Sequence, residues 1–442
     1  MSFPRYPKYK DSGVEWLGEV PEHWEVMALR RLATRIQTGS TPPTAEAKYY
    51  EDGTIPWYGP AAFNDRIEVS RPAKFLHASA ESEGAARMFA PGATLVITIG
   101  ATIGKVSSLP HTASCNQQIT AIEIDQRLVH SRFATYQLKR LEPSLRAIAP
   151  SATLPILDQG EISGLWICVP PIEEQTMVAE FLNRETGKID ELVAEQQRLM
   201  ELLKEKRQAV ISHAVTKGLN PRVPMKPSGI EWLGDVPAHW EVTRLKKISP
   251  SMTVGIVVNP SSFIADEGLP FIYGGDIREG VIDWANARRI DAKSSEANSK
   301  TQLMAGDLLT VRVGAPGVTA VVPAECEGGN CASVMLIRQG AFNSEWLCYA
   351  MNTRTVRFQV EVVQYGAAQE QFNISHAVNF WVPAPPRKEQ NEIVTFLDAE
   401  TAKLDTLAAE AQKAIDLLQE RRTALISAAV TGQIDVRKLA AA

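Results

Sequence analysis

The sequence predicts an α+β protein in which two mixed α/β domains are separated by two long helices that form an antiparallel coiled coil. The first observation is a repeat: S-G-V-E-W-L-G-E-V-P-E-H-W-E-V at residues 12–26 returns as S-G-I-E-W-L-G-D-V-P-A-H-W-E-V at 228–242, identical at 12 of 15 positions. Residues 92–101 and 181–190 likewise match 306–315 and 396–405. The 442-residue chain is therefore one unit written twice.

The second observation is that each copy changes character along its length. Its first part contains short runs of Val, Ile, Thr and aromatic residues between Gly and Pro, which is typical of strands and loops. The rest predicts a helix of about 40 residues with apolar residues in a 4-3 alternation. The predicted segments are a first mixed domain at 1–170, a helix at 171–217, a second mixed domain at 218–385, a helix at 386–432 and a tail at 433–442.

The predicted seam residues repeat in both helices. They are Val178, Leu182, Ile189, Leu192, Leu199, Leu203 and Val210, then Ile393, Leu397, Leu404, Leu407, Ala414, Leu418 and Leu425, with Glu185, Gln196 and Lys206 as polar interruptions of the first stripe. Only a short Pro-rich linker follows the first helix, so pairing the helices without a long return crossing requires an antiparallel arrangement. We expect the domains near opposite ends of this rod, related by a pseudo-two-fold axis.

Composition excludes several classes of function. The net charge of −5 argues against a chain that neutralises many DNA phosphates on its own. The start of the chain has no apolar signal stretch, and the longest uncharged run, residues 88–104, contains Pro91 and several glycines, so we expect a cytoplasmic protein without membrane spans. The five cysteines do not form a zinc-ligand pattern and are predicted to be packing thiols, so no metal site is expected.

Catalytic motifs are absent from the sequence. G-A-T-I-G-K at 100–105 has one residue too few between its glycines for a phosphate-binding loop, and Val106 follows the lysine. The chain has neither G-x-S-x-G nor H-E-x-x-H, and its Pro-Pro dipeptides lack the preceding Asn or Asp of a base methyltransferase. The sequence therefore predicts a non-catalytic protein, and a duplicated scaffold remains possible from these features alone.

Several further motifs carry a family resemblance. T-G-S-T-P at 38–42, I-G-A-T-I-G-K at 99–105, N-Q-Q at 116–118 and P-P-x-x-E-Q before each helix occur together with the duplicated Trp-rich segment. With these motifs in this order, the chain resembles the specificity subunit of type I restriction-modification systems over essentially its whole length. The second copy departs from the pattern, with N-P-S-S at 259–262 in place of T-G-S-T-P.

The resemblance implies two target-recognition domains, each reading one half of a bipartite, asymmetric double-stranded DNA site. It implies that partner subunits do the chemistry: two methyltransferase subunits use S-adenosylmethionine to methylate adenine, and a motor-endonuclease subunit uses ATP and Mg²⁺ to cleave DNA. This chain would itself bind no cofactor. The competing hypotheses are a duplicated protein–protein scaffold without a DNA role and a self-sufficient DNA-modifying enzyme.

The candidate DNA-contacting residues lie in stretches where the two copies differ. In the first domain they are Asn64, Arg66, Arg71, Lys74, Arg87, Ser151 and Thr153. In the second they are Arg278, Arg288, Arg289, Lys300, Gln369 and Gln371. Arginine and lysine bind phosphates and guanine edges, and amide or hydroxyl side chains pair with base edges, so these residue types suit DNA readout. A solvated surface role is the alternative for each cation, and Asn116, Gln117 and Gln118 are predicted to satisfy buried backbone groups instead.

Overall fold

A computed structural model describes residues 3–148, 155–363 and 371–439. The chain forms two compact units: Met1–Gln197 with Gln412–Ala442, and Arg198–Ala411. The boundaries fall inside the two long helices, so each unit contains one mixed domain and a part of both helices. Candidate positions Ser151, Thr153 and Gln369 lie outside the described residues.

Unit 1 contains two four-stranded sheets and two shorter strand pairs. Its strands are β1 (Tyr9–Asp11), β2 (Glu19–Pro21), β3 (Glu25–Ala28), β4 (Ala33–Thr38), β5 (Ile55–Tyr58), β6 (Lys74–Leu76), β7 (Met88–Phe89), β8 (Thr94–Ile97), β9 (Val106–Ser108), β10 (Ala113–Cys115), β11 (Ile119–Ile124) and β12 (Trp166–Val169). Its helices are α1 (Ala78–Ser82), α2 (Ser131–Arg140), α3 (Glu142–Ile148), α4 (Gln159–Ser163) and the first part of α5 (Ile172–Lys217). One sheet has the antiparallel order β4-β11-β8-β9, and the other has the order β6-β5-β10-β7 with β5 and β10 parallel.

Among its described residues, unit 2 also contains two four-stranded sheets, with three shorter strand pairs instead of two. Its strands are β13 (Met225–Pro227), β14 (Asp235–Pro237), β15 (Glu241–Arg244), β16 (Met252–Val254), β17 (Ile264–Ala265), β18 (Leu269–Ile272), β19 (Ile277–Arg278), β20 (Val281–Ile282), β21 (Arg288–Ile290), β22 (Leu308–Thr310), β23 (Thr319–Val321), β24 (Asn330–Cys331), β25 (Met335–Ile337) and β26 (Trp381–Ala384). Its helices are α6 (Leu245–Ile248), α7 (Ala292–Ala297), α8 (Ser344–Asn352), α9 (Arg354–Val363), α10 (Ile374–Ala377) and the first part of α11 (Arg387–Val430). The sheets run β16-β25-β22-β23 and β17-β21-β18-β24, and β18 and β24 are parallel.

The repeated Trp-rich segment docks on the start of a long helix in each unit. In unit 1 the buried Glu174 carboxylate accepts from Trp24 Nε1 at 3.2 Å and from the Tyr6 hydroxyl, and its Oε2 lies 2.9 Å from His23 Nε2. In unit 2 Glu389 Oε2 accepts from Trp240 Nε1 at 2.9 Å and lies 2.8 Å from His239 Nε2. The two copies of the segment therefore form the same contact twice.

The glutamine of each P-P-x-x-E-Q motif joins the helix start to the mixed domain. Gln175 accepts from His130 N at 2.8 Å, at the start of α2, and donates to Pro170 O at 2.7 Å. Gln390 accepts from Asn343 N at 2.7 Å, at the start of α8, and donates to Pro385 O at 2.9 Å. The bonds from His130 N and Asn343 N satisfy backbone donors that helix starts leave without intrahelical partners, and the bonds to the proline carbonyls tie each glutamine to its own motif.

The end of the other long helix meets the same tryptophan. Gly218 follows α5 with φ +76°, and a Cβ there would lie 3.2 Å from the Trp240 ring and 3.0 Å from Glu389 Oε1. Gly432 follows α11 with φ +75°, and a Cβ there would lie 3.2 Å from Trp24. In each unit the start of one long helix and the end of the other thus converge on one indole, so the two helices run antiparallel.

Ion pairs between the two helices agree with this direction in each unit. Arg422 Nε lies 3.1 Å from Asp190 Oδ1 in unit 1, and Arg207 Nε donates to Asp405 Oδ1 at 3.2 Å in unit 2. Arg207 and Arg422 occupy equivalent positions of the two copies, as do Asp190 and Asp405. Arg422 is buried and Asp190 is half-buried, whereas Asp405 is largely exposed.

The seam differs from the predicted one at every second position. Leu182, Ile189 and Leu203 are buried as predicted, but Leu192 and Leu199 are exposed. The buried and half-buried positions follow 182, 186, 189, 193, 196, 200, 203, 207 and 210, so one of the two alternating positions lies one residue later than predicted. The second helix has the same shift: Leu407 is exposed, and Thr401, Ile415 and Arg422 are buried. Each residue step turns a helix by about 100°, which moves the misassigned leucines off the seam.

Removal of the Glu174 carboxylate is expected to destabilise unit 1. Glu174→Ala leaves the buried donors Trp24 Nε1 and Tyr6 Oη without their acceptor, at a cost of about 1–3 kcal/mol for each. The exposed neighbour provides the control, because Glu173→Ala removes a carboxylate that faces solvent. Urea denaturation of the full chain should show a clearly lower midpoint for Glu174→Ala. Equal midpoints for both variants would contradict the role assigned to this carboxylate.

The corrected seam can be tested with two adjacent leucines. Leu203 is 8% exposed and Leu202 is 52% exposed. We expect Leu203→Ala to cost about 2–5 kcal/mol of stability, as for other buried leucines, and Leu202→Ala to stay within about 0.5 kcal/mol of the parent. Thermal unfolding followed by circular dichroism measures both. A larger loss of stability for Leu202→Ala than for Leu203→Ala would contradict the corrected seam.

Candidate nucleic-acid interface

A tightly held loop, residues 38–42, follows strand β4 in unit 1. Gly39 N donates to Ile119 O at 2.9 Å and Ser40 N donates to Cys115 O at 2.8 Å, so the loop lies directly on the chain between β10 and β11. A Cβ at Gly39 would lie 2.2 Å from Cys115 O. Only glycine fits this approach, which explains the glycine of T-G-S-T-P.

Three side chains hold the same loop from outside. Trp57 Nε1 donates to Ser40 O at 3.0 Å, and the Tyr50 hydroxyl donates to Pro42 O at 2.6 Å. Arg87 Nη1 donates to Thr38 O at 2.7 Å, and Ser40 Oγ accepts from Arg87 N at 2.9 Å. The loop is thereby fixed with Thr41 exposed, and the Thr41 hydroxyl bonds Gln117 Oε1.

The N-Q-Q segment contains a buried residue with a structural role, Asn116, and an exposed residue, Gln117. Asn116 is buried; its Oδ1 accepts from Gln118 N at 3.1 Å and its Nδ2 donates to Gln118 Oε1 at 3.0 Å. Gln117 is exposed beside Thr41. The predicted structural role therefore applies to Asn116, whereas Gln117 presents its amide to solvent. We define edge 1 as loops 38–42 and 116–118 with Lys74 and Arg87.

The described candidate residues of unit 1 fall into three places. Lys74 and Arg87 belong to edge 1, because Lys74 Nζ lies 5.0 Å from the centroid of the Tyr50 ring that holds Pro42. Asn64 and Arg66 instead belong to a turn in which Asn64 Oδ1 accepts from Arg66 N at 2.9 Å. Asp65 of this turn lines a crevice of about 230 Å³ together with residues of α2 and α11. Arg71 is exposed on the segment that leads into β6. The structure thus does not bring all of these residues together.

Unit 2 has the equivalent loop at residues 255–259. Gly255 N donates to Val334 O at 2.9 Å and Ile256 N donates to Cys331 O at 2.8 Å. A Cβ at Gly255 would lie 2.4 Å from Cys331 O, so Gly255 is the counterpart of Gly39. The alignment of N-P-S-S with T-G-S-T-P is therefore wrong: Val257 and Val258 stand where unit 1 has Thr41 and Pro42. We define edge 2 as loop 255–259 with Arg288, Arg312 and Gln371.

Edge 2 includes two predicted residues and one that was missed. Arg288 stacks on Tyr273 with its Cζ 4.3 Å from the ring centroid, and it pairs with Phe271 as Lys74 pairs with Trp57. Gln371 forms an antiparallel bridge with Val313. Arg312 was not predicted; its Nε donates to Phe372 O at 3.1 Å. Its position in the copy corresponds to Thr98, so a difference between the repeats was the available signal.

The remaining candidates of unit 2 lie apart from edge 2. Arg278 is exposed in the β19–β20 hairpin beside the Glu279–Arg357 ion pair. Arg289 Nη2 donates to Ala285 O at 3.2 Å, and Lys300 is exposed after α7.

The described residues offer little for metal or nucleophilic chemistry. They contain no group of three or more His, Cys, Asp or Glu side chains that could hold a metal ion. All five cysteines are buried, and burial raises the pKa of the Cys115 and Cys331 thiols to about 12, so both stay neutral. Within the described chain, no helix has the length and apolar character that a membrane crossing requires.

The close approach of the loop to the sheet predicts a glycine-specific effect. Gly39→Ala places a methyl group against the Cys115 carbonyl and should cost about 1–3 kcal/mol, the usual cost of overpacking. Gly59→Ala is the control, because a Cβ there meets its nearest neighbour at 3.9 Å. Urea midpoints of the two variants test this expectation. A Gly39→Ala protein as stable as Gly59→Ala would show that the loop can move away from the sheet.

Comparison with known proteins points to one family. Residues 21–201 match the family described as Type I restriction modification DNA specificity domain. The EcoBI type I restriction enzyme specificity subunit of Escherichia coli is 25% identical over 336 residues, covering 73% of this chain and 69% of that protein. The MjaIX specificity subunit of Methanocaldococcus jannaschii is 24% identical over 443 aligned positions and covers 96% of both chains.

Solved structures show the same fold. A chain from a structure on complex assembly and conformational transition of the type I R-M system superposes with a TM-score of 0.69 at 16% identity, covering 94% of this chain and 99% of that chain. The HsdS subunit from Thermoanaerobacter tengcongensis gives a TM-score of 0.50 at 17% identity and covers 94% and 98%.

Proposed function

We propose that this chain belongs to the type I restriction-modification specificity subunits, that it is the DNA-recognition subunit of such a complex, and that each unit reads one half of a bipartite site. It directs adenine methylation and DNA cleavage by partner subunits and catalyses neither step itself. The observation that carries this proposal is that both units share one framework but present different side chains at equivalent edges.

The shared part consists of the Glu–Trp–His contact, the glutamine bonds and the sheets. The different part comprises Lys74, Arg87, Thr41 and Gln117 at edge 1, and Arg288, Arg312, Gln371 and two valines at edge 2. Binding residues are commonly placed on loops that a rigid scaffold positions. Two different edges on one framework suit an asymmetric site better than they suit a scaffold, which has no need for them.

Base readout requires few contacts of this kind. Amide and guanidinium side chains form bidentate pairs with adenine and guanine edges in the major groove, each worth about 1–3 kcal/mol against a wrong base. Lys74 and Arg288 are suited to phosphates, because cations held beside an aromatic ring keep their position. The net charge of −5 leaves much of the backbone binding to the partners.

The partners follow from the family. We propose that two methyltransferase subunits carrying S-adenosylmethionine and a motor-endonuclease subunit using ATP and Mg²⁺ assemble on this chain in the cytoplasm. The two long helices would set the distance between the half-sites.

The function is tested by expressing the chain with a type I methyltransferase subunit and mapping methylated adenines across the host genome. The proposal predicts one asymmetric motif with two specific halves and a fixed spacer. The chain without the methyltransferase should methylate nothing. A stable complex without any sequence-specific methylation would instead support a scaffold, and methylation by the isolated chain would support an enzyme.

The salt dependence of DNA binding tests the phosphate role of Lys74. Lys74→Ala should weaken binding of the assembled complex and reduce the slope of log K against log salt by about 1. Arg127→Ala is the control, because this exposed residue is paired with Asp125 at the end of β11 away from edge 1. Equal slopes for the Lys74 variant and the parent would remove Lys74 from the interface.

A further inference from the structure

Loop 255–259 exposes two adjacent apolar side chains. Val257 is 58% exposed and Val258 is 75% exposed, and no other large apolar side chain among the described residues is as exposed as Val258. Single exposed apolar residues are common on protein surfaces. The pair is unusual because it stands at edge 2, at the position where unit 1 has an exposed Thr41 and a buried Pro42.

The backbone holds both valines outward. The preceding Ile256 is buried against Phe271, Ile290 and Ala332 and thus occupies the apolar space beneath the loop. Ile256 N donates to Cys331 O at 2.8 Å, and Ile256 O accepts from Ser333 N at 3.1 Å. A Cβ at Gly255 would lie 2.4 Å from Cys331 O, so the loop backbone already lies directly against the sheet. Gly255 and Ile256 thus anchor the loop, and the two valines that follow stay exposed.

Polar and cationic groups lie on the segments that neighbour this loop. Tyr273, which carries the stacked Arg288, packs against the cluster that contains Ile256. Gly274 lies beside Val311 and Val313 O, on the segment that bears Arg312 and bridges Gln371. A protein-binding patch would favour a wider apolar surface, whereas two valines among arginines and an amide fit the edge of a polyanion that offers one apolar group.

We propose that Val257 and Val258 contact the C5-methyl group of a thymine in the major groove of the half-site read by unit 2. This inference rests on the proposed function. The thymine methyl is the apolar group that a base pair presents in the major groove, and apolar side chains recognise it by contact. In unit 1 the equivalent Thr41 bonds Gln117, so that edge reads by hydrogen bonds.

The test removes the methyl group without changing base pairing. The complex of the chain with its methyltransferase subunit is bound to duplexes carrying the mapped motif, in which each thymine is replaced in turn by uracil. One replacement in the second half-site should weaken binding about fourfold, the effect of exposing one buried CH₂-sized group. Val257→Ala and Val258→Ala, singly and together, should bind the thymine and uracil duplexes with the same affinity.

Two controls separate this contact from general effects. Replacements in the first half-site should affect the valine variants and the parent equally. Val258→Thr keeps the side-chain shape but replaces one methyl group with a hydroxyl, so it should lose part of the sensitivity to the thymine methyl group. Both valines are exposed, so the variants should unfold at the same temperature as the parent.

The outcomes distinguish this inference from the proposed function. If the motif is bound but no uracil replacement in the second half-site lowers affinity, the inference is overturned and the function stands. If the valine variants keep the sensitivity of the parent, the inference is likewise overturned. If no specific motif is bound, the proposed function fails and the inference fails with it.

Discussion

The convergence of two helix ends on one indole is the constraint on which each unit depends. Trp24 and Trp240 each donate to a glutamate at the start of one long helix and pack against the glycine that ends the other. In unit 1, burial and the bond to Glu174 raise the pKa of the Tyr6 hydroxyl, so this second donor to the carboxylate stays protonated. A buried carboxylate is costly unless several donors satisfy it, and here the repeated segment provides them.

This constraint explains why the chain repeats a segment with no chemistry of its own. The segment fixes where the mixed domain attaches to the helices, and the P-P-x-x-E-Q glutamine fixes the start of α2 or α8. The sheets then place their loops from a fixed base. Edge 1 and edge 2 lie at the same point of that frame, so side chains can differ there without disturbing the helices. The contacts that both copies repeat provide position, and the loops that differ are where the proposed function places sequence discrimination.

The sequence predicts the large features well and the small ones unevenly. The repeat, both long helices and their antiparallel direction follow from spacing and linker length. The seam was half right, because Leu192 and Leu199 resemble seam residues while the true positions carry Thr186 and Arg207. Lys74 and Arg288 were predicted separately, and the structure places them on equivalent strands. Asn64 and Arg66 lie in a turn outside edge 1, because divergence between the copies marks loops in general and not the loops of one edge. The Gly255 equivalence is plain from the approach of the backbone to Cys331 O, and the sequence signal that could have found it is the offset that separates both Gly39 from Gly255 and Cys115 from Cys331.

The central claim is that each unit reads one half-site, and a chimeric chain tests this most directly. Residues 33–165 would be replaced by their unit 2 counterparts, 249–380, with the Trp-rich segments and the helices left intact. Methylated adenines would then be mapped in cells that also express the methyltransferase subunit. We expect a motif whose two halves carry the same recognition sequence, that of the original second half. An unchanged asymmetric motif, with the chimera folded and assembled, would contradict it.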